Sequence, residues 1–272
     1  MSYGERNAFA LVLFMFDAVK VQPDLIVLDD PISSFDKNKK YAIIEMLFRG
    51  ERSLRDKTVL MLTHDLDPII DIVYHHSDRF VKPVATFIEN NRGTVSEKEI
   101  QKSDIVTFYE INTQNSRLSS DVSRLVYLRR NYEATNSKGM EYQLISSILH
   151  KKSPSVKSEG TERPMSGIEI FEASKGIAQQ IPEFDHAAIT ACIFDDRKMK
   201  ELYFKTTSNY EKLHLYRIIN QGKPAEESNV IKKFINESFH IENDYIYQLN
   251  PMNYQTVPLY IIDECDKVIN QI

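Results

Sequence analysis

The chain has 272 residues, of which 42% are hydrophobic and 27% charged, and its 34 lysines and arginines face 39 aspartates and glutamates for a formal charge of −5. This is ordinary globular composition with enough apolar residues for one large or two small domains. It excludes a strongly basic protein, so a nucleic-acid or membrane partner would need a local basic patch.

The two cysteines, Cys192 and Cys265, show neither CxxC spacing nor a companion cluster of histidines. This usage predicts free, buried thiols in a reducing compartment and argues against a structural zinc site. The sequence carries no secretory signal, and its longest early apolar run is too short and too interrupted to cross a bilayer. We therefore expect a cytoplasmic protein with no membrane partner.

A helix and a strand are the first predicted elements. Apolar side chains recur at helical spacing over residues 5–20, which predicts an amphipathic helix. Its predicted apolar side consists of Phe9, Val12, Leu13, Phe16 and Val19. After a polar break, the run LIVL at residues 25–28 leads into Asp29, Asp30 and Pro31. Such a run is typical of a strand buried on both faces of a parallel sheet.

A second strand is predicted soon after the first. Residues 33–36, SSFD, predict a turn, and residues 37–49 predict a helix. Residues 58–62, TVLML, predict another buried strand, which ends at a Thr-His-Asp sequence. Because ligands of open α/β sheets bind outside the carboxyl ends of the strands, the two strand ends are expected to form one site.

The remaining chain changes character near residue 100. Residues 79–82 and 84–88 predict strands or a hairpin that ends near residues 90–93. Beyond residue 100 the predicted helices cover residues 118–128, 142–149, 186–194, 197–204, 209–219, 228–239 and a last segment that starts at Pro258. Residues 152–167, KSPSVKSEGTERPMSG, have the composition of an exposed, flexible loop.

These elements predict an α/β fold with two domains. Residues 1–100 would form a partial parallel sheet with flanking helices. Residues 101–272 would form a mainly α-helical region that contains the flexible loop near residues 152–167.

Four short motifs follow one another over the first 65 residues: SYGE at 2–5, LIVLDD at 25–30, SSFD at 33–36 and VLMLTHD at 59–65. In this order and at these intervals they resemble the signature loop, Walker B strand, D-loop and switch histidine of an ABC-type ATPase head. The resemblance is to the C-terminal lobe of the SMC, RecF and RecN kind of head, a group of bacterial AAA-family ATPases. It covers about the first 90 residues.

The resemblance implies ATP and Mg²⁺ as cofactors. Asp29 would bind Mg²⁺, which normally takes one or two protein carboxylates alongside nucleotide phosphates. Asp30 would orient and polarise the attacking water. His64 would contact the γ-phosphate.

The resemblance also implies a homodimer or higher oligomer, with nucleotide held between two heads. Ser2, Gly4 and Glu5 of the signature loop would act on nucleotide bound by the opposite subunit, and Asp36 would couple the two sites. A hydroxyl and free N–H groups at a helix start form an anion site on physical grounds alone.

Each motif has a simpler interpretation when it is taken alone. Paired aspartates before proline can form a turn or a helix cap, and a lone histidine can be a satisfied core or turn residue. A serine before a helix can be an N-cap that needs no partner. The combination of motifs is what favours the nucleotide interpretation.

The sequence departs from the family pattern at two places. Asp30 stands where most ABC heads carry a catalytic glutamate, although a subset of bacterial SMC- and RecF-like ATPases also has aspartate there. No GxxxxGK[ST] sequence is present, so the backbone cradle and lysine that hold the β- and γ-phosphates are missing. We expect this chain to be inactive alone and to hydrolyse ATP only with a Walker A-containing N-terminal lobe, supplied by another chain or by residues upstream.

The helical region contains one further candidate and one basic segment. Arg129, Arg130 and Glu133 bring guanidinium groups and a carboxylate to one helix face, either as a phosphate and base pair or as an exposed ion pair. Lysines and an arginine make residues 151–163 mildly basic, which is usual for a solvated segment and occasionally marks a contact with DNA or RNA.

Two functions are therefore expected from the sequence. The first is the C-terminal part of an ABC-type ATPase, whose dimerisation drives a conformational change in nucleic-acid maintenance or phage defence. The second is a non-catalytic interaction module, or a remnant, in which the ATPase motifs are idle.

Overall fold

The structure is a computed structural model that describes residues 3–49, 53–75, 83–158, 160–223, 231, 234–235 and 247–271. It divides into two compact units, residues 1–88 with 96–105, and residues 89–95 with 106–272. The predicted α/β class is confirmed, with small parallel and antiparallel sheets and a helical C-terminal region. The assignment of residues 1–100 and 101–272 to separate domains stays a prediction.

The first unit begins with the predicted alternation of helices and strands. Its elements are helix α1 (Tyr3–Val21), strand β1 (Ile26–Asp29), helix α2 (Lys37–Arg49), strand β2 (Val59–Leu62) and helix α3 (Asp67–Ile69), which continues as a π-helical segment (Ile70–His75). Ile26 and Leu28 of β1 share a buried cluster with Ile44 and Leu47 of α2. The helical prediction for residues 5–20 is confirmed.

The parallel sheet of this unit is open on one face. β1 and β2 pair in parallel, with Val27 beside Leu60 and Asp29 beside Leu62. Ile26 and Leu28 are buried, whereas Val27, Leu60 and Leu62 are 51%, 48% and 46% exposed. The prediction of strands buried on both faces is therefore wrong for the described chain, because helices cover only one side of this sheet.

The exposed side of α1 is also apolar. Phe9, Leu13 and Phe16, which the sequence predicts to face the core, are exposed, and α1 instead buries Met15 and Ala18. The helix carries apolar side chains on both sides, so its spacing predicts the helix but not which side packs inward.

Two short strands form a hairpin that only partly matches the prediction. Strands β3 (Thr86–Asn91) and β4 (Thr94–Glu99) are joined by Arg92 and Gly93, which both have positive φ, 52° and 91°. Positive φ at both central residues is the geometry of a two-residue type I′ turn. The strand predicted at 84–88 overlaps β3, which ends near residues 90–93 as expected. The strand predicted at 79–82 lies outside the described residues, and β4, which pairs with β3 after the turn, was not predicted.

The second unit is mainly helical, as predicted. Its helices are α4 (Phe108–Leu118), α5 (Asp121–Ala134), α6 (Met140–Leu149), α7 (Gly167–Gln180), α8 (His186–Phe194), α9 (Asp196–Lys205), α10 (Asn209–Ile219) and α11 (Leu259–Gln271). A 3₁₀ turn (Lys102–Asp104) belongs to the first unit, and strand β5 (Ile105–Thr107), which follows it, pairs with β8 (Tyr247–Leu249). The segment predicted as one helix over 118–128 contains the end of α4 and part of α5. Most of the helix predicted over 228–239 lies outside the described residues.

The segment predicted as a flexible loop near residues 152–167 contains a β-hairpin. Strands β6 (Ser155–Ser158) and β7 (Thr161–Pro164) pair antiparallel, and Gly160 in the turn has a φ of 82°. Val156 and Met165 are buried, while most other residues of the hairpin are exposed. The predicted exposure is correct. The pairing of β6 with β7 and the burial of Val156 and Met165 nevertheless give this polar segment regular structure.

Both cysteines are free thiols, as predicted. Cys265 is fully buried on α11 and Cys192 is half-buried on α8. Within the part of the chain that the structure describes, no helix has the length and hydropathy needed to span a membrane.

Candidate functional site

The carboxyl ends of β1 and β2 meet at one edge of the parallel sheet. The strands pair from Ile26 beside Val59 to Asp29 beside Leu62. One residue later, the Asp30 N–H donates to the Leu62 carbonyl oxygen at 2.8 Å. The aspartate pair and the Thr-His-Asp segment therefore leave the sheet at the same edge, where α/β proteins bind ligands.

The two aspartates occupy different environments at this edge. Asp29 is exposed on the open face of the sheet, and its carboxylate has no hydrogen-bond or ion-pair partner among the described residues. Asp30 is half-buried, and its Oδ1 accepts a long hydrogen bond of 3.5 Å from Thr63 Oγ1. Asp29 is thus open to a ligand, whereas Asp30 is held by the neighbouring strand end.

Asp30 has a left-handed backbone conformation with a φ of 47°. This region is uncommon for residues other than glycine, although aspartate tolerates it better than most, and such conformations occur often at functional sites. Its carbonyl oxygen accepts a hydrogen bond from Ser33 Oγ at 3.4 Å. The conformation turns the chain sharply from β1 into the SSFD turn.

A short network connects the end of β2 to α2. The Asp65 N–H donates to Thr63 Oγ1 at 3.0 Å, and Lys40 Nζ of α2 lies 2.9 Å from Asp65 Oδ1 and 3.7 Å from Asp67 Oδ2. Burial acts to lower the pKa of Lys40, but the two carboxylates outweigh it and raise that pKa. The network holds both sides of the segment that carries His64, whose own side chain is exposed.

Asp36 caps helix α2. Its Oδ1 accepts from the Lys39 N–H at 3.2 Å, and its carboxylate pairs with Lys39 Nζ at 2.8 Å. These hydrogen bonds lower the pKa of the Asp36 carboxyl group. Within this chain Asp36 therefore acts as the N-cap of α2. The D-loop resemblance assigns a coupling residue to the same position.

The start of α1 lies near the SSFD turn. Asn7 Nδ2 donates to Ser34 Oγ at 2.8 Å, and a methyl group added at Gly4 would lie 3.8 Å from the Phe35 ring. The hydrogen bond and the charge of Asp36 raise the pKa of Lys39, burial opposes them, and the Glu5 carboxylate adds a smaller increase. Ser2 lies outside the described residues. Gly4, Glu5 and Asp36 thus belong to one region of the unit.

The residues at the sheet edge suit a magnesium ion held jointly with a nucleotide. Within the described chain there is no group of three or more histidine, cysteine, aspartate or glutamate residues arranged to hold a metal. Mg²⁺ binds through one or two carboxylates and completes its shell with water and phosphate oxygens, so a single exposed Asp29 fits this mode.

Some residues of this region escape prediction from sequence. Thr63 lies within the recognised motif, but its hydrogen bond to Asp30 depends on strand pairing. Lys40 and Asn7 act across 25 and 27 positions of sequence, respectively. No local pattern could have indicated these contacts.

Comparison with known proteins supports a distant relationship to ABC-type ATPases. The energy-coupling factor transporter ATP-binding protein EcfA2, from two strains of Staphylococcus epidermidis, is 23% identical over 133 residues, covering 49% of this chain and 40% of the relative. The uncharacterized chromosomal cassette SCCmec type IVc protein CR006 of Staphylococcus aureus is 23% identical over 207 residues, covering 64% of this chain and 27% of that relative. The chain spans less than half the length of each of these relatives. No family model and no solved structure matches it.

Proposed function

We propose that the chain is the C-terminal part of an ABC-type ATPase head of the SMC, RecF and RecN kind. The observation that carries the proposal is the parallel pairing of β1 and β2, which brings Asp29, Asp30 and the His64 segment to one sheet edge. The distant relationship to an ATP-binding protein supports the same class of ligand.

The proposed hydrolytic residues are those at this edge. Asp29 binds Mg²⁺ together with the β- and γ-phosphates, Asp30 orients the attacking water and His64 contacts the γ-phosphate. The long hydrogen bond from Thr63 to the Asp30 carboxylate supports this role, and the left-handed backbone of Asp30 is a conformation that occurs often at functional sites. Asp30 is one methylene shorter than glutamate, so we expect slower hydrolysis than a glutamate would give.

A second lobe completes the proposed site. These 272 residues contain no Walker A sequence, and the described sheet has only two parallel strands with one open apolar face. Parallel sheets are almost always covered on both faces. A Walker A-containing lobe would cover this face and add the lysine and backbone N–H groups that hold phosphates.

The completed head would act as a dimer. Ser2, Gly4 and Glu5 would reach nucleotide on the opposite subunit, and Asp36 would couple the two sites across the interface. A methyl group added at Gly4 would meet no close contact within this chain. If glycine is needed at this position, the reason would be the close approach of nucleotide on the opposite subunit, which fits this role. Dimerisation would change the binding of DNA or RNA by the helical unit. The process served would be nucleic-acid maintenance or phage defence in the cytoplasm.

Reconstitution tests the proposal. The Walker A-containing lobe encoded upstream of, or beside, the gene is mixed with this chain, and ATP hydrolysis is measured after association is confirmed by sedimentation. We expect hydrolysis that Asp30→Asn abolishes and that Asp24→Asn, a matched change at the amino end of β1, leaves unchanged. An associated, folded complex without turnover would contradict the proposal.

A non-catalytic interaction module is the second candidate. The exposed apolar residues on the sheet and on α1 favour it, since a surface of this kind serves binding whether or not ATP is hydrolysed. The same reconstitution separates the two functions, because a pure interaction module would associate with its partner and Asp30→Asn would change nothing measurable.

A further inference from the structure

His64 is the middle residue of a short turn at the end of β2. The Asp65 N–H donates to the Thr63 hydroxyl oxygen at 3.0 Å, which closes the turn around His64. Threonine side chains close such turns more weakly than aspartate or asparagine side chains do. The His64 side chain is exposed and makes no hydrogen bond or ion pair with the described part of the chain. The direction of its imidazole therefore depends on the backbone of this turn.

Lys40 attaches this turn to helix α2. Its Nζ lies 2.9 Å from Asp65 Oδ1 and 3.7 Å from Asp67 Oδ2, so one ammonium group contacts the residue after His64 and the first residue of α3. The Lys40 side chain is 13% exposed, and those of Asp65 and Asp67 are 27% and 23% exposed. Solvent and salt screen partly buried pairs less than surface pairs. The segment after His64 is therefore held against α2 at two points.

Lys40 also compensates negative charge that the turn cannot easily release. Asp65 Oδ2 is buried and has no hydrogen-bond partner among the described residues. Burial and Asp67 raise the pKa of Tyr41, the next residue of α2, and Lys40 opposes them. Without Lys40, repulsion between the two carboxylates and the cost of a buried carboxylate oxygen would favour turning Asp65 towards water. Because Asp65 follows His64 directly, that movement would displace the imidazole.

We propose that Lys40 is a positioning residue for ATP hydrolysis: through Asp65 it fixes the turn that carries His64, so that the imidazole needs no rearrangement when nucleotide binds. The inference rests on the proposed function, in which His64 contacts the γ-phosphate. Supporting side chains of this kind contribute to rate because a displacement of about 1 Å at a reacting group can cost about 100-fold.

The first test measures steady-state ATP hydrolysis by the complex of this chain with its Walker A-containing lobe. Lys40→Met should lower kcat at least about tenfold, the effect of a small displacement, and leave the KM for ATP nearly unchanged because the other lobe holds most of the nucleotide. Lys40→Arg keeps the charge and should recover most of the lost kcat. Arg49→Met, at an exposed ion pair with Glu45 on the same helix, is the matched control and should change neither constant.

NMR relaxation of the chain alone gives a second measurement that needs no hydrolysis. The His64 N–H should have the order parameter of rigid backbone, about 0.85, in the unsubstituted chain and a lower value in Lys40→Met. A purely structural role of Lys40 would lower stability against unfolding without loosening this turn in the folded chain. Asp65→Asn, which keeps the side-chain size but removes the charge, serves as a second variant if Lys40→Met fails to fold. It should loosen His64 and lower kcat to a smaller extent.

The outcomes separate this inference from the proposed function. Turnover that Asp30→Asn abolishes but that Lys40→Met leaves unchanged would overturn the role of Lys40 and leave the ATPase standing. A His64 N–H that is equally ordered in Lys40→Met and in the unsubstituted chain would do the same. An associated, folded complex without any turnover would overturn the ATPase and, with it, this role of Lys40.

Discussion

At the scale of single residues, the sheet edge shows how position decides the role of similar side chains. Lys39 and Lys40 are neighbours on α2 and both pair with aspartates, but Lys39 and its partner Asp36 are largely exposed. Lys40 is 13% exposed and lies between Asp65 and Asp67. Solvent screens the first pair, whereas the second holds the segment that carries His64.

We expect Lys40→Met to destabilise the chain by about 1–2 kcal/mol, between the values for exposed and buried ion pairs. The change leaves two carboxylates close together, and the buried Asp65 Oδ2 already lacks a hydrogen-bond partner among the described residues. Urea unfolding at pH 7 measures the effect. Lys39→Met is the matched control and should change stability little, so equal losses would argue against the network.

At the scale of elements, the start of α7 is held by a capping box and an ion pair. The Ser166 side chain accepts from the Glu169 N–H, while the Glu169 carboxylate accepts from the Ser166 N–H at 2.8 Å. Arg163 of β7 donates to the same carboxylate. The hydrogen bonds from Arg163, and then those from Ser166, lower the pKa of Glu169 from its ordinary 4.5 to about 2.

This lowered pKa predicts a pH-dependent contribution to stability. The unfolded chain takes up the Glu169 proton near pH 4.5, before the folded chain does, so the contribution is complete above that pH and is lost as the pH falls towards 2. Glu169→Gln should therefore lower the midpoint of thermal unfolding at pH 7 and have little effect near pH 2. Glu172→Gln, on the same helix and paired with Lys175, provides the control. A loss that does not vary with pH would contradict the assignment.

The turn between β6 and β7 allows a second test at this scale. Gly160 has a φ of 82° and open space around its Cβ position, so Gly160→Ala is penalised by backbone conformation alone, by about 1 kcal/mol. Gly167→Ala meets equally open space in the first turn of α7 without a positive φ, and should be neutral or stabilising. Thermal unfolding of both variants compares them, and a neutral Gly160→Ala would show that the turn is not held in this conformation.

The elements that could be predicted from sequence are those with strong local signals. The apolar runs predicted β1 and β2, and the helical spacing predicted α1 and α2. Helix α7 was missed because Ile168 and Phe171 are exposed and only Ala173 and Ile177 are buried, which leaves a weak apolar period.

The candidate site was predictable only in its motifs. Asp29, Asp30 and His64 follow apolar runs, and the rule that strand ends share an edge brings them together. The Lys40 ion pairs could not be predicted, because they depend on how α2 packs against the segment after β2. The open face of the sheet was missed for a related reason, since an apolar run indicates that a strand can be covered but not what covers it.

At the scale of the whole molecule, the first unit exposes apolar side chains on several elements. Val27, Leu60 and Leu62 lie on the open face of the sheet, and Phe9 and Phe16 lie on α1. The second unit has its own extensive buried core, which includes the helices α5, α6 and α10. The open face of the sheet, in the first unit, is the surface that the proposed second lobe would cover.

We expect the isolated chain to associate with itself through the open face of the sheet. Exposed apolar surface of this kind favours association, and Leu60 lies beside Val27 on it. Leu60→Lys should weaken self-association about tenfold, the effect of losing one large apolar contact, and should also prevent binding of the completing lobe. Sedimentation velocity over a range of concentrations measures both effects. Val95→Lys, which places the same charge at an exposed apolar position on β4, should change neither, so equal effects of the two variants would show that association is not specific to this face.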